Sequence, residues 1–511
     1  MRSHVVYGRH GVVASGHPLA SAEAVDVLRR GGNAVDAAVA AAAVLAVVLP
    51  YACGLGSDVF MLIKRGDGDD VLNLNGSGPA PAGATLAAFA EGIPGTGAKA
   101  ATVPGGVSAW EAAVERAGTL SLSELLAPAI TLAEDGFAVH KGYIRNTTDK
   151  QALLARNAEA ARLFLPQGRV PAEGEIFVQP EAAAVLRGIA DKGATAFYEG
   201  PVAETIVREM NAAGGLFSLD DLTRYRAEWQ RPLRTNYAGC EVFTVAPNSI
   251  AVILLLALQE FRRADIGALR WNSPDCIVAM MKAWRRARER AAGCLGDPSA
   301  VDGAARTRLA EFGREGRHDR HATAAIAGSD TSNVVIVTAN GDAVSLMQSV
   351  AAPFGAGVAI PGTGIILNNR MPGFDRTSGS PNCVAPGRRP AHTLCPALVL
   401  KDGRALMAAG SPGTVGQTCI MAQVMVGLLD HGIEAGEMVD APRWSVADDN
   451  AFILEDSASP ALRDELFAAM PGMRSAPEGS VTFGSIKAAI ARDDDILAVA
   501  DFRRVAGAQG W

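Results

Sequence analysis

Aromatic residues make up only 5% of the 511 positions, and no dense block of Lys and Arg occurs. With a net charge of −7, the chain lacks the basic face of a nucleic-acid binder. Cysteine is sparse: Cys53, Cys240, Cys276, Cys294, Cys383, Cys395 and Cys419 form no CxxC pair. An odd, scattered set without ligand spacing predicts reduced, mostly buried thiols and no metal centre. There is no GxSxG elbow, no HExxH and no Walker sequence, and "GLGSDVF" and "PGTGIIL" lack dinucleotide spacing, so no cofactor is expected. Of the eight His, only His318 and His321 lie close together, in a stretch that reads as solvated loop. The stretch "MRSHVVYGRHGVVASGHP" has no apolar signal core, and a cytoplasmic protein is expected. The most apolar run, "AVDAAVAAAAVLAVVLPYACG", carries Asp36 and breaks at Pro50, which predicts a buried helix and no membrane span.

What is present is a globular composition, 49% apolar and 20% charged, on a chain long enough for several units or one large layered fold. Helical spacing over 18–31 stops at Gly31–Gly32, and Asn33 is placed to cap a second helix over 34–49. "FMLIKRGDGDDVLNLNGSG" reads as two strands around a Gly/Asp turn. Residues 106–290 carry mostly amphipathic helical patterns. From 301 to 330 the pattern dissolves into a polar, small-residue linker. Beyond it, "VVIV" and "AVSLMQSV" flank Asn340–Gly341, a strong hairpin signal, and a second hairpin turn falls at Lys401–Asp402–Gly403. "CIMAQVMVGLLDHG" reads as a helix ended by Gly432, and "GSIKAAIARDDDILAVADF" as a last strand pair. Strands near both ends with helices between them predict sheets sandwiched by helices.

One arrangement carries chemistry. Thr331 stands where the linker becomes strand. Threonine is common in strands, so by position alone it reads as a residue that opens one. Were the chain cut before it, Thr331 would gain an α-amine, with an ordinary pKa of about 7.7–8.0. That amine can take the proton from its own Oγ, which is one way to activate a weak nucleophile.

Nine collinear stretches decide between these readings. They are "LRRGGNAVDAAVA", "GLGSDVFMLI", "TVPGGVSAW", "LGDP", "DTSNVVIVTANGDAVSLMQS", "FGAGVAIPGTGIILNN", "GRRPAHTLCPALVLKDG", "GSPG" and "DAPRW". Together they resemble the γ-glutamyltranspeptidase family of N-terminal-nucleophile hydrolases. "GDAVSLMQS" and "HTLCPALVLKDG" look closer to its oxamate amidohydrolase branch. The resemblance implies a four-layer αββα sandwich and a chain that cuts itself between Asp330 and Thr331. Residues 1–330 would become a large chain and 331–511 a small one, the two forming a heterodimer that is able to dimerise further. Thr331 is then the nucleophile. Ser349 falls where the family has a second Thr whose hydroxyl bonds to it. Gly413 and Thr414 fall on a Gly-Gly pair whose backbone N–H groups form the oxyanion hole. Asn333 replaces a family His.

The resemblance also marks a departure. The family holds a glutamyl head with an Arg, an acidic pair and a Ser-Ser pair. Here the Arg position is Asn75, the acidic positions are Arg370 and Gly373, and the Ser pair is His392–Thr393. Arg370 would repel an α-ammonium and attract a carboxylate. The expected substrate is therefore a small amide whose acyl part lacks the α-amine, such as a mono-amide of a dicarboxylic acid, oxamate-like or glutaryl-like. Arg370 also reads as a structural partner of Asp375, and Arg388 and Arg389 read as structural or, alternatively, as contacts to a substrate carboxylate. Two other functions remain open: a γ-glutamyltransferase or glutathione hydrolase with altered head-group contacts, and an uncleaved, inactive relative acting as a binding protein.

Overall fold

The computed structural model describes residues 2–301, 330–447 and 449–511, and Asp330 by its backbone alone. Most of the predicted 301–330 linker, with His318 and His321, lies outside the described residues. Fourteen strands build the two main sheets. The first seven are β1 (His4–Gly8), β2 (Gly11–Ser15), β3 (Asp58–Lys64), β4 (Val71–Gly76), β5 (Glu228–Gln230), β6 (Leu233–Tyr237) and β7 (Cys240–Thr244). The rest are β8 (Asp330–Thr338), β9 (Ala343–Ala351), β10 (Ala397–Lys401), β11 (Arg404–Gly410), β12 (Lys487–Ala491), β13 (Ile496–Ala500) and β14 (Gly507–Gly510). One sheet runs β14-β2-β8-β9-β3-β4-β5 and the other β1-β13-β12-β11-β10-β7-β6.

Helices cover the outer face of each sheet. Against the sheet that holds β8 lie α1 (Pro18–Arg29), α2 (Ala34–Val48), α3 (Leu122–Asp135), α4 (Lys141–Leu154) and α5 (Pro180–Lys192). Against the other lie α6 (Val252–Arg263), α7 (Pro274–Ala291) and α8 (Gln417–Met425). The result is the four-layer αββα sandwich. The apolar run near the N-terminus is α2, and all of its residues are buried, as a helix apolar on every side must be. Asn33 and Asp36 close a capping box at its start. Among the described residues no helix is long and apolar enough to cross a membrane. All seven cysteines are buried and none forms a disulfide.

The hairpins at Asn340–Gly341 and Asp402–Gly403 form as the turn residues predict. Strands β5, β6 and β7 interrupt the region whose patterns read as helical. The β6–β7 turn is Ala238–Gly239, both with positive φ (48° and 75°). This is the geometry that Asn-Gly usually advertises, and alanine hid it.

Candidate functional site

Side chains alternate across a strand, which sorts the central strands. Asn333 on β8 donates from Nδ2 to the Gly410 carbonyl of β11 (3.0 Å). Ser345 on β9 donates to the Ala409 carbonyl (2.8 Å). Both reach the second sheet, so their face is the inter-sheet face. Thr331 and Ser349 share the parity of Asn333 and Ser345 and point the same way. On β3, Asp58 pairs with Ser349 and Phe60 with Met347; on β4, Asn75 pairs with Phe60. Thr331, Ser349 and Asp58 thus stand in a row across three neighbouring strands, and two strand spacings put Asp58 about 10 Å from the strand of Thr331.

The register slips at this row. Asp330 pairs with Ala351 and Ser332 with Gln348, so β9 carries the extra residue and sets both Ser349 and Val350 against Thr331. A bulge of this kind re-aims side chains where pairing ends. The Ser349 hydroxyl accepts a hydrogen bond from the Ala351 N–H (2.9 Å), which steadies a turn through Ala351 at φ 80°. Thr331 is buried, 7% exposed.

Strand β11 passes Ser345 at Ala409 and Asn333 at Gly410, so it runs toward the end of the sandwich where Thr331 stands. It delivers Gly413 and Thr414 to that end. Gly413 sits at φ 139° and Thr414 at φ 57°. A β-branched residue in the left-handed region is costly; the turn keeps its glycine-like path despite the side chain. Beyond it, Ser411 Oγ accepts from the Ser485 N–H (3.1 Å), and Lys487 Nζ donates to Ser485 Oγ (2.9 Å). Lys487 and Thr331 line one small cavity with Tyr51, Arg145, Asn146 and Arg504. It encloses about 20 Å³, room for one water. The sequence reading did not find these cations, because they come from segments far apart in the chain.

Of the five residues at the family's head-group positions, Arg370 and His392 meet Asp58, and Thr393 meets Arg370. Arg370 Nε lies 3.6 Å from Asp58 Oδ2, and Nη1 donates to Thr393 Oγ1 (3.3 Å). The ion-pair partner of Arg370 is therefore Asp58 and not Asp375, whose carboxylate accepts from the Thr377 N–H and the Ser380 hydroxyl. Arg370 is 3% exposed, yet its Nε and Nη2 find no hydrogen-bond acceptor among the described residues. His392 accepts at Nδ1 from the Leu394 N–H (3.3 Å). That leaves Nε2 to carry the proton and donate to Asp58 Oδ2 (3.2 Å). Burial, then Arg370, hold His392 well below the usual histidine range, so the ring is neutral. Asp58 also accepts from the Gly78 N–H (3.2 Å). Burial pushes its carboxyl up to about 7 against the pull of Arg370, and lowers Arg370 to about 10.

Asn75 has no spare hydrogen bond. Its Oδ1 accepts from the Ser77 N–H and hydroxyl (2.9 and 2.7 Å). Its Nδ2 donates to Asn248 and Gln230 (3.0 and 3.3 Å). It braces two loops behind the cluster. Arg389 is tied to Ser77, Asp297 and Glu228, a structural knot as the sequence suggested. Asp58, the hub of the cluster, was missed, although it is a lone carboxylate in a strand whose seven residues are all buried.

The sequence pattern of the Gamma-glutamyltranspeptidase family matches residues 20–511. The chain belongs to that family. It is 35% identical over 448 residues to the glutathione hydrolase-like YwrD proenzyme of Bacillus subtilis (86% of this chain, 85% of that protein). It is 34% identical over 454 residues to the oxamate amidohydrolase proenzyme of Klebsiella pneumoniae (85% of each). The crystal structure of cephalosporin acylase from Bacillus halodurans superposes with a TM-score of 0.87 at 29% identity, covering 100% of this chain and 97% of that one. These relatives bear the names of hydrolases and acylases, and this chain is an enzyme of their kind, acting on amide bonds as a hydrolase or transferase.

Proposed function

We propose that the chain cuts itself between Asp330 and Thr331 and then hydrolyses small amides whose acyl part ends in a carboxylate. In the first step Thr331 Oγ attacks the Asp330 carbonyl, the peptide nitrogen leaves as the new α-amine, and water opens the resulting ester. In the second, that amine takes the Oγ proton and Oγ attacks the substrate amide. The backbone N–H groups of Gly413 and Thr414 hold the oxyanion, the leaving amine takes the proton, and water releases the acid. Ser349, beside Thr331 in the row, is read as a hydroxyl that orients Oγ.

The observation that carries the substrate reading is Arg370. Buried guanidinium donors without acceptors call for a partner, and a carboxylate fits them in bidentate fashion. Asn75, with its hydrogen bonds filled, is read as a brace, and Thr393 and His392 as supports for Arg370 and Asp58. The relatives named as an oxamate amidohydrolase and a cephalosporin acylase lend the same direction of support. A second reading is favoured by Asp58: an acid beside Arg370 restores both charges of a glutamyl clamp at exchanged positions, so a γ-glutamyl head would place its ammonium on Asp58. The test compares glutaryl-4-nitroanilide with γ-glutamyl-4-nitroanilide on wild type and Arg370→Met. Preference for the glutaryl compound, lost in the variant, is expected. Preference for the γ-glutamyl compound overturns the first reading for the second.

A further inference from the structure

Strand β12 brings a buried cation to the end of the sandwich where Thr331 stands. Lys487 opens that strand and pairs with Gly410 on β11, the residue whose carbonyl meets Asn333 of β8 across the two sheets. Thr331 lies two residues before Asn333, on the same face. Lys487 and Thr331 accordingly line one cavity of about 20 Å³. With room for a single water, the groups around it stand close together and little solvent screens one from another. Lys487 is 1% exposed. Its Nζ donates to the Ser485 hydroxyl and carbonyl (2.9 and 3.1 Å), two neutral acceptors that fix the ammonium in place. An ordinary lysine pKa of about 10.4 leaves a wide margin for burial before that charge is lost near pH 7.

The other ionisable groups around Thr331 leave this field positive. Arg145, exposed at the rim, and Arg504, whose Nη2 donates to the Val481 carbonyl (2.7 Å), line the same cavity. Among the described lining residues none is acidic, and the Tyr51 phenol there is neutral near pH 7 by its ordinary pKa. His17 and His140, next to the lining residues Gly16 and Gly142, pack with ring centroids 5.0 Å apart. Burial holds both below the usual histidine range, His17 at about 3, so neither is charged. Asp501 accepts from the Ile486 N–H (2.9 Å) and is engaged by Arg443 and Arg503 (2.6 and 3.2 Å). Asp58 stands two strands away and is paired with Arg370.

We propose that Lys487 is a positioning residue of the reaction: its ammonium disfavours a second positive charge on the Thr331 α-amine and so keeps that amine in the neutral form that takes the Oγ proton. The inference rests on the self-cleavage proposed above, which creates the amine. An α-amine ordinarily titrates at about 7.7–8.0, so at neutral pH most of it would be protonated and idle. The fixed ammonium moves the balance toward the working form. Lys487 also has a structural part, because Ser485, which it holds, donates its N–H to Ser411 Oγ (3.1 Å) beside the Gly413–Thr414 turn. The test must separate the charge from that bracing.

The experiment reads the acid limb of the kcat–pH profile with glutaryl-4-nitroanilide, on chains whose processing is checked on a denaturing gel. Saturating substrate removes the contribution of Asp58, which acts through KM, and the limb reports the base in the complex. Wild type is expected to reach half its plateau at about pH 7 or below, under the ordinary amine range. Lys487→Gln keeps a donor for Ser485 without the charge and should move that midpoint up by about one pH unit. Lys487→Arg keeps the charge and should leave the midpoint near that of wild type. A merely structural lysine would lower the rate in both variants without moving the midpoint. A wild-type midpoint at about 7.7 or higher, a Lys487→Gln midpoint equal to wild type, or an equal shift in both variants overturns the inference. The wild-type profile decides the point even where the variants fail to fold. If wild type is processed and active, such a result removes Lys487 alone. If wild type is not processed, no α-amine exists, and the function proposed above falls with the inference.

Discussion

The Asp58–Arg370 pair makes the pH dependence of substrate choice a sharp test. At 3.6 Å two unit charges attract by about 5 kcal/mol at an effective dielectric of about 20. A substrate carboxylate must share Arg370 with Asp58 as long as Asp58 is ionised. Burial raises the Asp58 carboxyl to about 7, so between pH 8 and pH 6 it gains a proton and releases the guanidinium. The worth of one charge-assisted hydrogen bond, about 1.5–3 kcal/mol, corresponds to roughly ten- to a hundredfold in binding. KM for glutaryl-4-nitroanilide should therefore fall by several-fold, up to about tenfold, as the pH drops from 8 to 6 through the Asp58 titration near 7. Asp58→Asn keeps an acceptor for the Gly78 N–H and should hold the low KM across that range. A γ-glutamyl donor should behave in the opposite sense, because its ammonium needs the ionised acid. Stability follows the same sign. A carboxyl whose folded pKa lies above its unfolded value of about 3.9 contributes stability that is present at low pH and is lost as the pH rises through about 7. Asp58→Asn should therefore gain on wild type in melting temperature between pH 6 and pH 8. Steady-state kinetics with thermal melts at both pH values decide it. A glutaryl KM that is flat or rises toward pH 6, with Asp58→Asn no better than wild type, would refute the reasoning.

Thr331→Ala should run as one band near 52.9 kDa on a denaturing gel and release no product, whereas wild type should show two fragments, the smaller beginning "TSNVV". Normal processing of that variant would remove Thr331 from the mechanism. Thr414→Gly should relieve the left-handed backbone at φ 57° by about 1–2 kcal/mol, seen as a higher urea midpoint. It should retain processing, since the backbone N–H is unchanged. Asn333→Ala removes the hydrogen bond that ties β8 to the Gly410 carbonyl, costing about 0.5–1.5 kcal/mol. A midpoint unchanged from wild type would show that the contact between the sheets carries no stability.

The parts of this enzyme that sequence reveals are those whose partners are near in the chain. The Asn33 cap, the Asn340–Gly341 hairpin and the buried helix α2 follow from residues a few positions apart. Alternation along β3, β8 and β9 is equally local, and once those strands are paired it places Thr331, Ser349 and Asp58 in one row. The β6–β7 hairpin escaped because its turn uses Ala238 where the geometry favours Asn or Gly. The head-group cluster escaped for a different reason. Arg370 has an acid close by in sequence, Asp375, and sequence proximity offers it as the natural partner. The fold instead spends Asp375 on its own turn, through Thr377 and Ser380, and brings Asp58 from the far end of the chain. Asp58 itself sat inside the glycine-rich "GLGSDVF", where attention goes to the glycines. The usable signal was a single carboxylate at an inward position of a strand that is apolar from Val59 to Ile63. Such a group cannot be buried without a cation or a donor set to meet it, and Arg370, the one charge out of place in "NNRMPG", was the residue left without its family role. Two departures from pattern in separate motifs, opposite in sign, are more economically explained as one pair than as two accidents, and in the proposed function that pairing sets whether the pocket reads a carboxylate, an ammonium or both.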